Sequence, residues 1–304
     1  MKTLVVGNLV LDLLAWPVEN IRWDGTVWVE RFARSVGGNG ANTSYTIARL
    51  GGEVALAGAV GKDAEGAELL GLLGDVGVDV TRVKKLALPT PTTMALVKRD
   101  GSRAFVHRPG ASRESLPAVI PMKGFSHLHV ANPFGTVNLR TLAPAFLAKA
   151  QSLGMTTSLD TGWDSRGEWG KVVLPCLEHT DILFVNEEEA KRITGARNWK
   201  DALKALPAGH VIMKRGKTGA VLDGELIPAF PVEAIDTTGA GDVFAGAFIA
   251  CWTRGNSMPA AVRFANAAAA LSVCALGSVA GVRGYRETEK WISSFGLPSS
   301  APQA

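Results

Sequence analysis

Short runs of apolar, β-favouring residues alternate along this chain with longer stretches whose apolar positions recur every three to four residues. That rhythm predicts an α/β fold on a mainly parallel, doubly wound sheet with helices on both faces. The apolar runs place core strands at Leu4–Val6, Val54–Val60, His127–Ala131, Thr156–Leu159, Ile182–Val185 and Val211–Lys214. The helical spacing places helices at Ala41–Leu50, Ala64–Leu73, Leu139–Leu153, Glu187–Thr194 and Trp199–Ala205, then two long Ala- and Phe-rich helices at Asp242–Thr253 and Pro259–Leu276. Two stretches break the rhythm. Residues 13–33 alternate Val27, Val29 and Phe32 and carry Trp16, Trp23 and Trp28. Residues 92–107 alternate Met94, Leu96, Phe105 and Val106 around Asp100-Gly101, a strong hairpin signal. Both are expected as antiparallel strands of a small second sheet, with the tryptophans packing that sheet or a second subunit. The expected division is a core of residues 1–10, 34–91 and 109–297, a β-sheet lid of residues 11–33 and 92–108, and a disordered Pro/Ser/Ala tail at 298–304.

Composition narrows the function classes. With 47% hydrophobic and 20% charged residues over 304 positions, the chain can bury a large core. A net charge of +4 is spread along the sequence, as at Lys84-Lys85 and Lys98-Arg99, without the concentrated stripe that nucleic-acid binding requires. Cys176, Cys251 and Cys274 form no Cys-x-x-Cys pair, which excludes a disulfide framework and a structural zinc site. The first apolar run, Leu4 to Trp16, is interrupted by Asn8 and Asp12 and lacks a small-x-small cleavage site, so it reads as a buried strand and not a signal peptide. No stretch is long and apolar enough to span a bilayer. A soluble cytoplasmic protein is expected, with neither nucleic-acid nor membrane partner.

The chemistry concentrates at Ile235-Asp236-Thr237-Thr238-Gly239-Ala240-Gly241-Asp242-Val243-Phe244. A small-residue turn opening a helix exposes backbone N–H groups where the helix dipole also favours negative charge. Such a turn can hold a phosphoryl group and neutralise charge developing on its oxygens. Asp242, in the first helical turn, is placed to accept the proton of an attacking hydroxyl. Taken alone, Gly-Ala-Gly-Asp reads as an ordinary capped helix whose Asp favours the dipole. A second glycine-rich segment, Gly37-Gly38-Asn39-Gly40-Ala41-Asn42, also reads alone as a weak phosphate-loop lookalike, because Thr43 stands where a dinucleotide fingerprint wants Gly.

Together, and in this order, the two segments resemble the first and second signatures of the PfkB family of ribokinase-like carbohydrate kinases. The resemblance spans residues 4 to about 285. It implies a ribokinase-like fold and transfer of a phosphoryl group from Mg·ATP to an alcohol, with Asp242 as base and Gly239, Ala240 and Gly241 as the anion hole. It implies acceptor contacts from Asp12 (in Gly-x-x-x-x-Asp from Gly7), Gly38, Asn39, Asn42, Arg108 and Asn132, the last where ribose-specific relatives are expected to carry Glu. Asn186-Glu187-Glu188-Glu189 matches the family's Asn-x-x-Glu, which makes Asn186 and Glu189 candidates for Mg²⁺ through water and for the phosphates. Without the resemblance these glutamates are a solvated first helical turn. Lys214, Gly216 and Gly219 correspond to the nucleotide loop, and Asn266 to an adenosine contact. Asp236 and Thr238 match half of a monovalent-cation (K⁺) site, whose other half is backbone near Ala275, Gly277 and Gly281. Gly-Lys-Thr at 216–218 is not a P-loop, since Val211 stands where the first Gly is required.

The acceptor is less legible. Arg108 resembles an Arg of fructokinase-like and 2-keto-3-deoxygluconate kinase-like relatives and suits a carboxylate. Asp164 stands where the acidic-sugar pattern has a second Arg, which favours a neutral sugar. A nucleoside kinase and a sugar-acid kinase are the enzyme alternatives, and a sugar- or nucleotide-sensing pseudokinase is the alternative of another class. A homodimer through the lid is expected.

Overall fold

The computed structural model describes residues 1–114 and 116–295, so the segment 298–304 lies outside the described residues. Its strands are β1 (Thr3–Gly7), β2 (Val10–Trp16), β3 (Arg31–Gly37), β4 (Val54–Gly61), β5 (Asp79–Leu86), β6 (Thr92–Val97), β7 (Arg103–Arg108), β8 (His127–Ala131), β9 (Thr156–Asp160), β10 (Ile182–Asn186), β11 (His210–Lys214), β12 (Gly219–Leu222) and β13 (Glu225–Pro228). Its helices are α1 (Asn39–Arg49), α2 (Ala64–Asp75), α3 (Leu139–Ser152), α4 (Trp169–Leu177), α5 (Glu187–Thr194), α6 (Trp199–Lys204), α7 (Ala240–Trp252), α8 (Met258–Ser272) and α9 (Tyr285–Ser294).

Nine strands form one sheet in the order β13-β12-β11-β10-β9-β8-β1-β4-β5, with every pair parallel except those that β12 makes with β11 and β13. Parallel strands are covered on both faces, which is why β1, β4 and β8 read as continuous apolar runs without alternation. One face buries Val5, Phe184 and Ile212 against α1, α2, α7 and α8; the other buries Leu4, Val6, Val130 and Val185 against α3, α4, α5 and α6. Chain direction diverges between neighbours β1 and β8, one leading to β4 and the other to β9. The carboxyl ends on either side of such a switch form a crevice where ligands bind.

A second sheet, ordered β3-β2-β6-β7, stands over those ends. The Asp100-Gly101 hairpin forms as expected between antiparallel β6 and β7, but β2 and β6 run parallel. Val27 and Val29 belong to no strand, since β2 ends at Trp16 and β3 starts at Arg31. The tryptophans separate correspondingly: Trp16 packs beside Leu14, Ala95 and Val97, whereas Trp23 and Trp28 are 92% and 89% exposed. Helix α8 stops at Ser272, four residues short of the expected Leu276, because the Val273 carbonyl accepts from the N–H groups of Ile235 and Asp236. Among the described residues no helix is long and apolar enough to cross a membrane.

Candidate active site

Helix α7 begins at Ala240 after Gly239, whose φ of 71° is left-handed. The N–H groups of Gly241 and Asp242 find no acceptor among the described residues, as the first turn of a helix dictates. Asp242 is buried at 7% exposure, and two amides hold its carboxylate: Asn39 donates to Oδ1 at 2.8 Å and Asn42 to Oδ2 at 2.9 Å. Both asparagines lie in the first turn of α1, which approaches β1 closely. At Gly38, with φ of 85°, a Cβ would fall 2.8 Å from the Asn8 carbonyl oxygen, so the chain enters α1 there only as glycine. The first signature therefore brings the Asn39 and Asn42 amides onto the acid of the second, about 200 residues later.

On one side of Asp242 lies an ionic network. Lys214, at the end of β11, donates to both oxygens of Asp160 at 2.9 and 2.7 Å. Its Nζ would stand 3.1 Å from a Cβ on Gly241, beside the first turn of α7. Glu189 Oε2 accepts from Thr161 Oγ1 at 2.7 Å and from the Asn186 N–H at 2.9 Å. Asn186 Oδ1 accepts the Glu189 N–H, so that oxygen is spent on capping α5. Burial pushes the Asp242 carboxyl up to about 6, with Asp160 adding to the rise and the amides of Asn42 and Asn39 and the Lys214 ammonium opposing it. Burial likewise raises Glu189. It works against the Lys214 ammonium, yet Asp160 and Glu189 outweigh it and Lys214 is held charged.

Beside Lys214 and Gly241 opens a cavity of about 480 Å³, polar near Lys217 and Thr237 and apolar at Phe230, Val232, Phe244 and Val273. Gly216 and Gly219 line it, as does Asn266, whose Nδ2 is already committed to the Ile227 and Pro228 carbonyls. On the other side stands Asp12 from β2, near Ser278 Oγ at 3.4 Å. Burial pushes Asp12 up to about 7 against the hydroxyls of Ser278 and Thr93, with Asp236 and Asp242 adding to the rise. Asn132 donates to Asn39 Oδ1 at 2.8 Å.

Arg108, Asp164 and Asp236 are each held by partners of their own. Arg108 does not join this cluster: it braces the edge of the small sheet through the Thr90 carbonyl (3.2 Å) and Thr92 Oγ1 (3.0 Å). Asp164 faces no acceptor; it pairs with Arg140 at 2.6 Å and accepts from the N–H groups of Arg166, Glu168 and Trp169, anchoring the entry to α4. Asp236 stitches two loops, its Oδ1 accepting from Thr238 N–H and Oγ1 and its Oδ2 from Gly277 N–H. Asp160 and Asn8 were not singled out from sequence; Asp160 ends a core strand, and strand ends in such sheets face the ligand crevice.

A crevice with an acid at a helix N-terminus, an ammonium and a covering sheet defines a phosphotransferase of the ribokinase fold. A solved structure of a ribokinase II candidate from E. coli, in complex with ATP and Mg²⁺, superposes with a TM-score of 0.85 at 24% identity, covering 96% of this chain and 99% of that one. The sequence profile of the pfkB family carbohydrate kinase matches residues 2–283. The chain is 29% identical over 302 residues to ribokinase of Bacillus subtilis, covering 95% of this chain and 98% of that protein. It is 31% identical over 283 residues to a nucleoside kinase of Methanothermobacter thermautotrophicus, covering 89% and 88%. The chain belongs to the pfkB family of carbohydrate kinases. The reaction class read from the sequence, ATP-dependent phosphoryl transfer to an alcohol of a sugar or nucleoside, is the one these relatives support.

Proposed function

We propose that this enzyme transfers the γ-phosphoryl group of ATP to a hydroxyl of a neutral sugar, with Asp242 as the general base. The observation that carries this reading is the position of Asp242, between the cavity and anion-hole amides on one side and Asp12 on the other. The attacking hydroxyl oxygen forms a bond to the γ-phosphorus as the bridging P–O bond to ADP breaks, and its proton passes to Asp242. The N–H groups of Gly241 and Asp242 and the Lys214 ammonium face the charge that spreads over the moving phosphoryl. With a raised pKa near 6, the base is still mostly ionised at pH 7.

The donor set suits Mg²⁺ held through water, since Glu189 keeps its Oε1 without a partner among the described residues while its Oε2 is fixed by Thr161 and the Asn186 N–H. Mg²⁺ would neutralise phosphate charge there, with Asn186 left its Nδ2 for a phosphate. Asp236 joins the two halves of the candidate K⁺ site through Gly277. A neutral acceptor follows from the charge inventory. The side chains that hydrogen-bond Asp12 and Asp242, namely Asn39, Asn42, Thr93 and Ser278, are uncharged, Arg108 is engaged elsewhere, and the nearby Lys214 ammonium is paired with Asp160. An acidic sugar would meet the Asp12 and Asp242 carboxylates, while the nearby cation, Lys214, is already paired with Asp160. The exposed Phe32, Phe105 and Val106 of the small sheet fit a cytoplasmic homodimer joined lid to lid.

The test is Asp242→Asn assayed against a panel of neutral sugars, nucleosides and sugar acids. Expected is a kcat loss of about 10²–10⁴-fold with ATP binding retained, and preference for a neutral acceptor. Near-normal turnover excludes the base; preference for an aldonic or 2-keto-3-deoxy acid overturns the acceptor class alone.

A further inference from the structure

The two amides on Asp242 differ in how they are held. Asn42 donates directly from α1. Asn39 is itself fixed: its Nδ2 donates to Asp242 Oδ1 while its Oδ1 accepts from Asn132 Nδ2, both at 2.8 Å. Asn132 is fixed in turn. Its φ of 62° is left-handed, its Oδ1 accepts the Phe134 N–H at 3.0 Å, and a Cβ on Gly162 would fall 2.5 Å from its Cγ, so the loop after β9 presses on the amide.

These bonds have a single polarity. The Phe134 N–H can only donate, so Asn132 must turn its oxygen to it and its NH₂ to Asn39. Asn39 must then accept with its oxygen and donate with its NH₂, and an ionised carboxylate is the group that can receive it. A backbone N–H at one end dictates an acceptor at the other.

We propose that Phe134 N–H, Asn132 and Asn39 form a directional relay that orients the Asp242 carboxylate for proton transfer, making Asn132, which does not touch Asp242, a positioning residue and not an acceptor contact. The inference rests on Asp242 being the base. The charged groups facing Asp242 from the other elements, Asp160 of β9, Lys214 of β11 and Asp12 of β2, are unaltered in the variants below.

The experiment uses the full chain, with kcat and acceptor KM followed from pH 5 to 9. Asn132→Gly tolerates the left-handed backbone and removes only the amide. It should lower kcat about tenfold, the value of one lost hydrogen bond, move the acid limb of kcat to higher pH, and leave acceptor KM little changed. Asn132→Asp keeps the shape and the bond from Phe134 but offers Asn39 an acceptor, which turns the Asn39 oxygen toward Asp242. It should be worse than Asn132→Gly, whereas a shape-filling role would make it milder. The double variant Asn39→Ala/Asn132→Gly should be no worse than Asn39→Ala alone. A raised acceptor KM with an unmoved acid limb, additive losses, or Asn132→Asp milder than Asn132→Gly would overturn the relay while Asp242→Asn remains inactive. An active Asp242→Asn would remove the base reading and the relay with it.

Discussion

Replacing Lys214 by Met keeps the length of the side chain and removes one charge from the centre of the site. In the native protein its ammonium bonds both oxygens of Asp160, whose side chain is 5% exposed, and its own side chain is 16% exposed. Removal strands the Asp160 carboxylate in a site that already holds Glu189 and Asp242. Breaking a buried pair from one side costs about 3–5 kcal/mol, and the residual exposure of Lys214 places this one near the lower figure. Catalysis suffers separately. Lys214 lowers the Asp242 pKa, so its loss raises a carboxyl already near 6, and the acid limb of kcat moves to higher pH. Loss of a cation at the anion hole should cost kcat about 10²–10³-fold, as for one oxyanion donor. The double variant Lys214→Met/Asp160→Asn separates the two effects, because a neutral pair of similar shape removes the stranded charge. Urea unfolding should show most of the stability restored in the double variant, while kcat stays low. If the single variant is as stable as the native protein, or if the double variant recovers full turnover, the account of Lys214 as a structurally paired, catalytically used cation is wrong.

Three further outcomes follow from particular atoms. A Cβ on Gly37 would lie 2.2 Å from Asp12 Cγ; Gly37→Ala should therefore push Asp12 aside and raise acceptor KM about tenfold or more, leaving the KM for ATP unchanged in steady-state assays. Burial raises the Asp12 pKa from the ordinary carboxylate range to about 7; the native state holds that proton longer than the unfolded chain, so native stability falls as pH rises through that interval and is flat above it. His127 and His129, both depressed, trend oppositely but equally in both proteins, so the stability of Asp12→Asn relative to the native protein should grow by up to about 1.4 kcal/mol per pH unit between pH 5 and 7. Sedimentation at micromolar concentration should show a dimer that Phe105→Glu with Val106→Lys converts to monomer; a native monomer with full activity would exclude the lid-to-lid assembly.

The parallel core was legible because strands covered on both faces write their burial directly into sequence, as at His127–Ala131. The edge strand β5, with Arg82, Lys84 and Lys85, and the short β12–β13 hairpin carried no such run, and neither was expected. Helix α4 was hidden by Pro175 near its end. Of the site, the signatures supplied Asp242 and its glycines, and the family assignment they suggested is correct. What they could not supply was partnership. Asp160 and Lys214 are 54 residues apart, and nothing local to either announces the other. The partner of Asp164 was equally invisible: Asp164 stands in the loop before α4, and Arg140 lies on α3, 24 residues earlier.

The pKa of Asp242 is set by groups from several elements around the crevice. In the role proposed for it, a general base needs a pKa high enough to take a proton and low enough to be ionised beforehand. Burial and Asp160 push it up; Asn42, Asn39 and Lys214 pull it down, and the balance stands near 6. These contributions come from separate elements: α1 for the amides, β9 for Asp160 and β11 for Lys214. The relay adds a loop after β8, so the acid of α7 is tuned from four places around the β1–β8 switch. A fold that gathers strand ends at one crevice can supply such opposing groups without placing them near one another in sequence. That explains why Asp242, recognisable from its neighbours at 239–241, is set by residues up to 203 positions away.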